Sequence, residues 1–323
     1  LIDGREIDFR VSTLPLASYE KVEMRILDSV KGVPQLEDLC FNTYCLDVIR
    51  RGLKKTMGIF LVTGPTGSGK STTLYAALSI LNQDGVNIST LEDPIEYQIK
   101  GVNQSQVKPK IGYTFATGLR SFLRQDPNII MVGEVRDEET AELCIHAGLT
   151  GHLVLSTLHT NDAIGTIFRL LDMKVEPFLL ASTLKTIVAQ RLVRRLCPYC
   201  RKTVSLEKSV SEQIMKEIAL MPEEMIKREF PKQSEFGNID NFTTFDKVGC
   251  PRCDNTGYTD RVAISEVIEI KEDIKDMIIN HRNDITIEAI KKSQSFISMK
   301  QDGFLKVLQG ITTIDEVLRV IEN

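Results

Sequence analysis

An apolar run that breaks at Gly64-Pro65-Thr66-Gly67-Ser68-Gly69-Lys70-Ser71 and resumes as a helical stripe narrows the possible folds more than any other stretch. Ile59 to Val62 are apolar without alternation, the pattern of a parallel strand covered on both faces. Past the glycines, Leu74, Ala77, Leu78 and Leu81 recur at helical spacing. Strand, GxxxxGK[ST] turn and helix, in that order, make a phosphate-binding loop. Its backbone N–H groups, through Thr72, would curl around phosphate oxygens at the positive end of the new helix. Lys70 would reach the β- and γ-phosphates of ATP, and the Ser71 hydroxyl would ligate Mg²⁺. Without a ligand, Lys70 is expected to stand in solvent.

Strands and helices alternate through the rest of this region. Strands are predicted at 59–63, 88–91, 129–132 and 153–157, and helices at 71–81, 114–125, 137–148 and 162–172. That alternation requires an α/β domain, with a mainly parallel sheet and helices on both faces. Ligands of such sheets bind outside the carboxyl ends of the strands, so polar residues just after each strand are candidates. Thr90-Leu91-Glu92-Asp93-Pro94-Ile95-Glu96-Tyr97 runs a strand into three acids, suited to orienting water or standing near a metal. Asn128-Ile129-Ile130-Met131-Val132-Gly133-Glu134, followed by Arg136, is a Walker B arrangement that puts Glu134 near Mg²⁺.

A third stretch, Thr150 to Thr160, carries His152 and His159 at the two ends of one apolar strand. Their odd spacing puts them on opposite faces, which disfavours a shared metal. A γ-phosphate contact is expected of one or both, with a structural histidine as the alternative. Arg120 and Arg124 share one helix face as either a solvated stripe, a subunit interface or a nucleotide contact.

The flanks differ in character. Residues 1–30 alternate in the manner of a β-hairpin and read as the remnant of a β-rich N-terminal domain. The chain starts at Leu1 inside that pattern, so it is expected to be a fragment. Residues 31–57 form a linker and helix, and the nucleotide core is expected over 58–190. Cys197-Pro198-Tyr199-Cys200 and Cys250-Pro251-Arg252-Cys253 mark a four-cysteine insert over 191–262. Four thiolates close a tetrahedral, structural Zn²⁺ site. The 49 residues between the pairs are too many for a simple ribbon and should fold out as a helical excursion. A redox CxxC would leave one pair unexplained. Cys40, Cys45 and Cys144 read as small core residues. Residues 263–323 carry apolar stripes of short helices, a helical C-terminal subdomain.

Composition excludes some functions. Forty basic and forty-four acidic residues, with no Trp and 6% aromatics, offer no basic-aromatic groove for nucleic acid. No apolar run is long enough to span a membrane.

With these motifs laid out, the chain resembles the motor ATPases of type II secretion and type IV pilus assembly over nearly its whole length. The matches include Arg10 to Pro15, Met24 to Leu27, the phosphate loop, Glu92 to Tyr97, Gly133-Glu134, both histidines, the four cysteines, and Gln301-Asp302-Gly303. Tyr19, Asn128 and Asp260 depart from the family's usual residues. The resemblance implies a RecA-like P-loop core, Glu96 as catalytic carboxylate, Glu134 as Walker B acid, and Arg10 and Arg25 reaching the nucleotide from the preceding domain. It also implies a homo-hexameric ring in the cytoplasm, docked on an inner-membrane platform protein. Retraction motors lack the four-cysteine insert, so an assembly or secretion motor is expected, with a DNA-uptake pilus motor as the alternative. A nucleic-acid-dependent ATPase and a non-hydrolysing scaffold are the rivals from other classes; Glu96 and Glu134 together oppose the second.

Overall fold

The computed structural model describes residues 8–27, 32–229, 243–280 and 282–322. Its first element is a hairpin of β1 (Asp8–Pro15) and β2 (Glu20–Leu27), in which Arg10 stands opposite Arg25. The side chain of Arg25 lies outside the described residues. Alternation shapes the hairpin, yet neither face is covered: Val11, Leu14, Val22 and Met24 are all exposed.

Next comes α1 (Thr43–Leu53), started by the Asn42 side chain accepting the Cys45 N–H at 2.8 Å. The core follows as β3 (Gly58–Thr63), α2 (Lys70–Leu81), β4 (Ile88–Glu92), β5 (Asn103–Gln106), α3 (Phe115–Phe122), β6 (Ile129–Val132), α4 (Glu138–Leu149), β7 (Leu153–Leu158) and α5 (Ala163–Asp172). The predicted alternation is present, with α3 ending at Phe122, so that Arg124 falls in the turn beyond it. Helix α6 (Pro177–Thr183) then leads into the long strand β8 (Leu184–Leu196).

The cysteine region contains β9 (Lys202–Ser205), the helical excursion α7 (Lys208–Ala219) and α8 (Glu223–Glu229), and β10 (Thr243–Asp246). Strand β11 (Tyr258–Glu269) returns to the main sheet, and α9 (Glu272–Asn280), α10 (Ile287–Ser293), α11 (Met299–Leu308) and α12 (Ile314–Ile321) close the chain.

Seven strands form one sheet in the order β11-β8-β3-β7-β6-β4-β5. All neighbours are parallel except β11, which pairs antiparallel to β8 at one edge. The sheet therefore extends beyond the expected core of 58–190, and β11 crosses the boundary expected at residue 262. Period-two alternation in the buried strands supplies both faces. Ile59 and Leu61 enter one core with Ile130 and Val154, while Phe60 and Val62 enter the other with Met131 and Leu155. Each such side chain contributes about 1.5–3 kcal/mol by leaving water. A third core joins the excursion to the C-terminal helices, through Ile214, Ile218 and Met225 against Phe304, Leu305 and Val317.

Two buried carboxylates tie those helices to the sheet. Asp302 accepts from the Asn42 amide at 2.9 Å, the Ser265 N–H at 2.7 Å and Lys306 at 2.6 Å. Glu316, its side chain 2% exposed, accepts from the Arg194 N–H at 3.0 Å and guanidinium at 2.6 Å, and from Arg319 at 2.9 Å. Burial alone would raise its pKa, but these donors overcome it and hold the carboxyl at about 2, below its ordinary 4.5. A depressed carboxylate gives stability that is present above its unfolded pKa and lost as pH falls through the folded one. Acidification from pH 4.5 to 2 should therefore remove on the order of 3 kcal/mol. Glu316→Gln is expected to lower stability at neutral pH and to flatten that part of the acid profile in urea melts. A variant with the full acid slope would contradict the assignment.

Candidate active site

The carboxyl ends of β3, β4, β6 and β7 open into one cavity of about 760 Å³. Its floor is the turn between β3 and α2. Gly64 (φ +147°) starts the turn where a Cβ would stand 2.3 Å from the Gln190 carbonyl, and Gly67 (φ +79°) needs the left-handed region. Gln190 on β8 braces the loop: its amide donates to the Ser68 carbonyl at 2.8 Å and accepts from the Thr73 hydroxyl at 2.9 Å. Residues Thr66 to Thr72 line the cavity, while Gly64 and Pro65 form the near limb of the turn. The buried Ser68 hydroxyl has no hydrogen-bond partner. Packed against Gly64, that hydroxyl lies within the turn, while the loop residues Thr66 to Thr72 that line the cavity, with the Lys70 ammonium, fit a phosphate.

Lys70 is not in open solvent, contrary to the sequence expectation. Its ammonium donates to the carbonyls of Gly64 at 2.8 Å and Pro65 at 3.1 Å, folding back across the loop. Burial lowers its pKa, and Glu134 partly restores it. Opposite stands Glu134, mostly buried, with one oxygen 3.0 Å from His159 Nε2 and the other accepting from Arg136 Nε at 2.7 Å. Arg136 also approaches Asp93, at 3.8 Å. Glu96, exposed in the loop after β4, faces the same space, as does Arg10 of the hairpin.

His159 and His152 part company. His159 lines the cavity, whereas His152 sits at the start of β7, its Nδ1 within 3.0 Å of the Ala147 carbonyl and 3.2 Å of the Thr150 hydroxyl. Seven residues of extended chain separate the two by roughly 20 Å. A nucleotide contact for His152 is therefore not supported within this chain, and the structural alternative fits it. Arg120 pairs with Glu139 on the surface, and neither it nor Arg124 lines the cavity. Sequence reasoning missed Arg261 and Leu192, which reach the cavity from β11 and β8. An arginine just before the apolar run of β11 was the available signal.

Outside this cavity, the Sγ atoms of Cys197, Cys200, Cys250 and Cys253 all lie within 4.8 Å of one another, with separations of 3.7, 3.8 and 3.9 Å among them. Four sulfurs 2.3 Å from a common centre would be about 3.8 Å apart. Backbone N–H groups of Gly249, Cys250 and Gly257 point at Sγ of Cys200 and Cys253 at 3.2–3.4 Å. Burial opposes a charged Cys253, yet two of these N–H groups pull its thiol down to about 7. The donor set fits a tetrahedral, thiolate-preferring ion.

Comparison with known proteins agrees with this geometry. The family described as type II/IV secretion system protein matches residues 1–319. The type IV pilus assembly ATPase PilB of Myxococcus xanthus is 46% identical over 317 residues, which cover 98% of this chain and 53% of that protein. The type II secretion system protein E of Aeromonas hydrophila is 46% identical over 319 residues, 99% of this chain and 60% of that one. The chain thus spans little more than half the length of these relatives. Among solved structures, the pilus retraction motor PilT with bound ADP superposes with a TM-score of 0.66 at 28% identity, over 97% of this chain and 73% of that one.

The charges around Glu134 predict a titration. Burial, with the neighbouring Lys70, lowers the His159 pKa from its ordinary 6.5, while Glu134 raises it. In histidine-labelled NMR of the ligand-free chain, His159 should titrate below 6.5, and lower still in Glu134→Gln. A rise in that variant would show that Glu134 does not face the imidazole.

Proposed function

The chain belongs to the type II/IV secretion system protein family, and from that premise we propose that it hydrolyses ATP in this cavity and couples the reaction to mechanical work. The observation that carries the reading is convergence: Lys70 with Ser71, Glu96 and Glu134, from the segments that follow three separate strands, line one space. ATP phosphates would lie along the amides of residues 67–71, with Lys70 exchanging the carbonyls of Gly64 and Pro65 for the β- and γ-phosphates. Ser71 and Glu134, hard oxygen donors, are the residues that would hold Mg²⁺, which supplies charge neutralisation on phosphate oxygens when bound. Glu96 orients or deprotonates the attacking water. Arg10, already in the cavity of its own chain, adds positive charge where the γ-phosphate develops negative charge. His159 hydrogen-bonds at that end through Glu134. Arg25 is assigned the same kind of role by the resemblance alone.

The machine is proposed from the relatives' names: a motor for type IV pilus assembly or type II secretion, a DNA-uptake pilus being a variant of the first. Such a motor would work as a homo-hexamer in the cytoplasm, against the inner face of the membrane on a platform protein. No helix among the described residues is long and apolar enough to cross a membrane. The exposed Arg120 and Arg124 are available for contacts between ring neighbours.

A phosphate-release assay tests the chemistry. Glu96→Gln should keep ATP affinity and lose about a hundredfold or more in turnover, while Lys70→Ala should hydrolyse nothing measurable. Normal turnover in Glu96→Gln with none in Glu134→Gln would show that the two carboxylate roles are reversed.

The cysteine cluster is proposed to hold one structural Zn²⁺, with all four thiolates as ligands and no open position for chemistry. Elemental analysis of protein purified without added metal should give one zinc per chain. Cys197→Ser or Cys250→Ser should lower thermal stability before ATP affinity, because a closed site contributes folding energy. Metal-free protein with two oxidised thiol pairs would refute the zinc assignment.

A further inference from the structure

Part of the cavity lining, Tyr75 with Glu92, is a buried hydrogen-bonded chain that no part of the mechanism above uses. Tyr75, on the helix that begins with Lys70, is 1% exposed, and Glu92, at the end of β4, is 3% exposed. The Tyr75 hydroxyl donates to Glu92 Oε2, and the same phenol oxygen accepts the Glu96 backbone N–H at 3.1 Å. Glu92 Oε1 is taken by the Thr90 hydroxyl at 2.5 Å and the Gln104 amide at 3.0 Å. Gln104 cannot flip without loss, since its nitrogen also donates to the Tyr97 carbonyl and its oxygen accepts the Ile99 N–H, both at 2.8 Å.

The chain therefore runs one way. Ile99 and Tyr97 orient Gln104, which with Thr90 occupies one Glu92 oxygen and leaves the other for the Tyr75 proton. With that proton committed, the phenol oxygen faces Glu96 as an acceptor. Burial, then the bond to Glu92, raise the Tyr75 pKa above its ordinary 10.0, so the proton stays in place. The Tyr97 ring packs edge-on against Tyr75, centroids 5.5 Å apart. Residues 93–102, which carry Glu96, contain no helix or strand, so anchors of this kind set where the carboxylate stands.

We propose that Tyr75 and Glu92 are positioning residues that lock the Glu96 backbone to the helix carrying Lys70 and Ser71. The proposal rests on Glu96 being the water-orienting carboxylate. It assigns Tyr75 no contact with substrate. Its effect is to register the water-activating group against the phosphate-binding group, where a misplacement of about 1 Å can cost about a hundredfold in rate.

Two near-isosteric substitutions test it in the full chain. Tyr75→Phe keeps the ring packing and removes the hydroxyl. In Glu92→Gln, Thr90 and Gln104 still require an acceptor at Oε1, so the new amide NH₂ must face Tyr75. The phenol proton then loses its acceptor, and the amide NH₂ donates to the phenol oxygen in competition with the Glu96 N–H. Both variants should lower kcat by about tenfold or more with KM for ATP and calorimetric ATP affinity unchanged. Adding Glu96→Gln to Tyr75→Phe should cost little beyond Glu96→Gln alone, because the two act through one group. A general packing defect would instead shift affinity or multiply with Glu96→Gln, and either result overturns the proposal, as does wild-type kcat in both variants. If only one variant folds, its kcat and double-mutant cycle decide alone. A wild-type chain without ATPase activity overturns the proposed function and this inference together, whereas an active chain with unimpaired variants overturns this inference only.

Discussion

The turn at the carboxyl end of β3 is the constraint on which the rest of the structure depends. It has to reverse from a strand into α2 while lying against the β8 backbone, and at Gly64 there is no room for a side chain, with Gln190 O at 2.3 Å from a would-be Cβ. Because β8 is β3's neighbour in the sheet, Gln190 can hold both the loop, at Ser68, and the helix, at Thr73. The phosphate-binding geometry is thus a property of three elements. Strand β8 in turn is held by its pairing with β11 and by Glu316 on Arg194, and β11 by Asp302 on Ser265. The helical tail and the cavity floor are linked by these contacts.

Electrostatics at the site serve orientation more than stability. A surface pair such as Lys174 with Glu138, both well exposed, contributes about 0–1 kcal/mol. Glu134 is different, at 18% side-chain exposure and engaged by Arg136 and His159 on separate oxygens. Two donors on two oxygens fix the plane of the carboxylate, which is what a residue serving a metal and its waters requires. Burial in the same cavity disfavours the Lys70 charge and nearby Glu134 favours it, while the carbonyls of Gly64 and Pro65 accept from its ammonium.

Much of this was legible because the signals are local. The loop motif, the continuous apolar strands and the acids at the ends of β4 and β6 lie within short windows, and the four cysteines announce their partners by spacing. What escaped the sequence was long-range. Strand β8 reads as a mixed run, with Gln190 and arginines amid the apolar residues, because one of its polar side chains braces the loop and others meet α12. Strand β5, Asn-Gln-Ser-Gln, has no apolar residue and exists through its backbone pairing with β4. His152 and His159 look equivalent in sequence, yet a six-residue strand puts them at opposite ends of the sheet. Tyr75 is invisible for the same reason: a buried tyrosine on an apolar helix looks like core until its hydroxyl partner is placed, and Glu92 reads as one of three site acids rather than as that partner.

A crystal structure grown with magnesium and a non-hydrolysable ATP analogue tests the account most directly. The account predicts phosphate oxygens within hydrogen-bonding distance of the amides of residues 67–71, Lys70 released from the carbonyls of Gly64 and Pro65, and Ser71 and Glu134 facing the metal. A nucleotide bound elsewhere, or Lys70 still closed on its own loop with the phosphates outside it, would contradict the account.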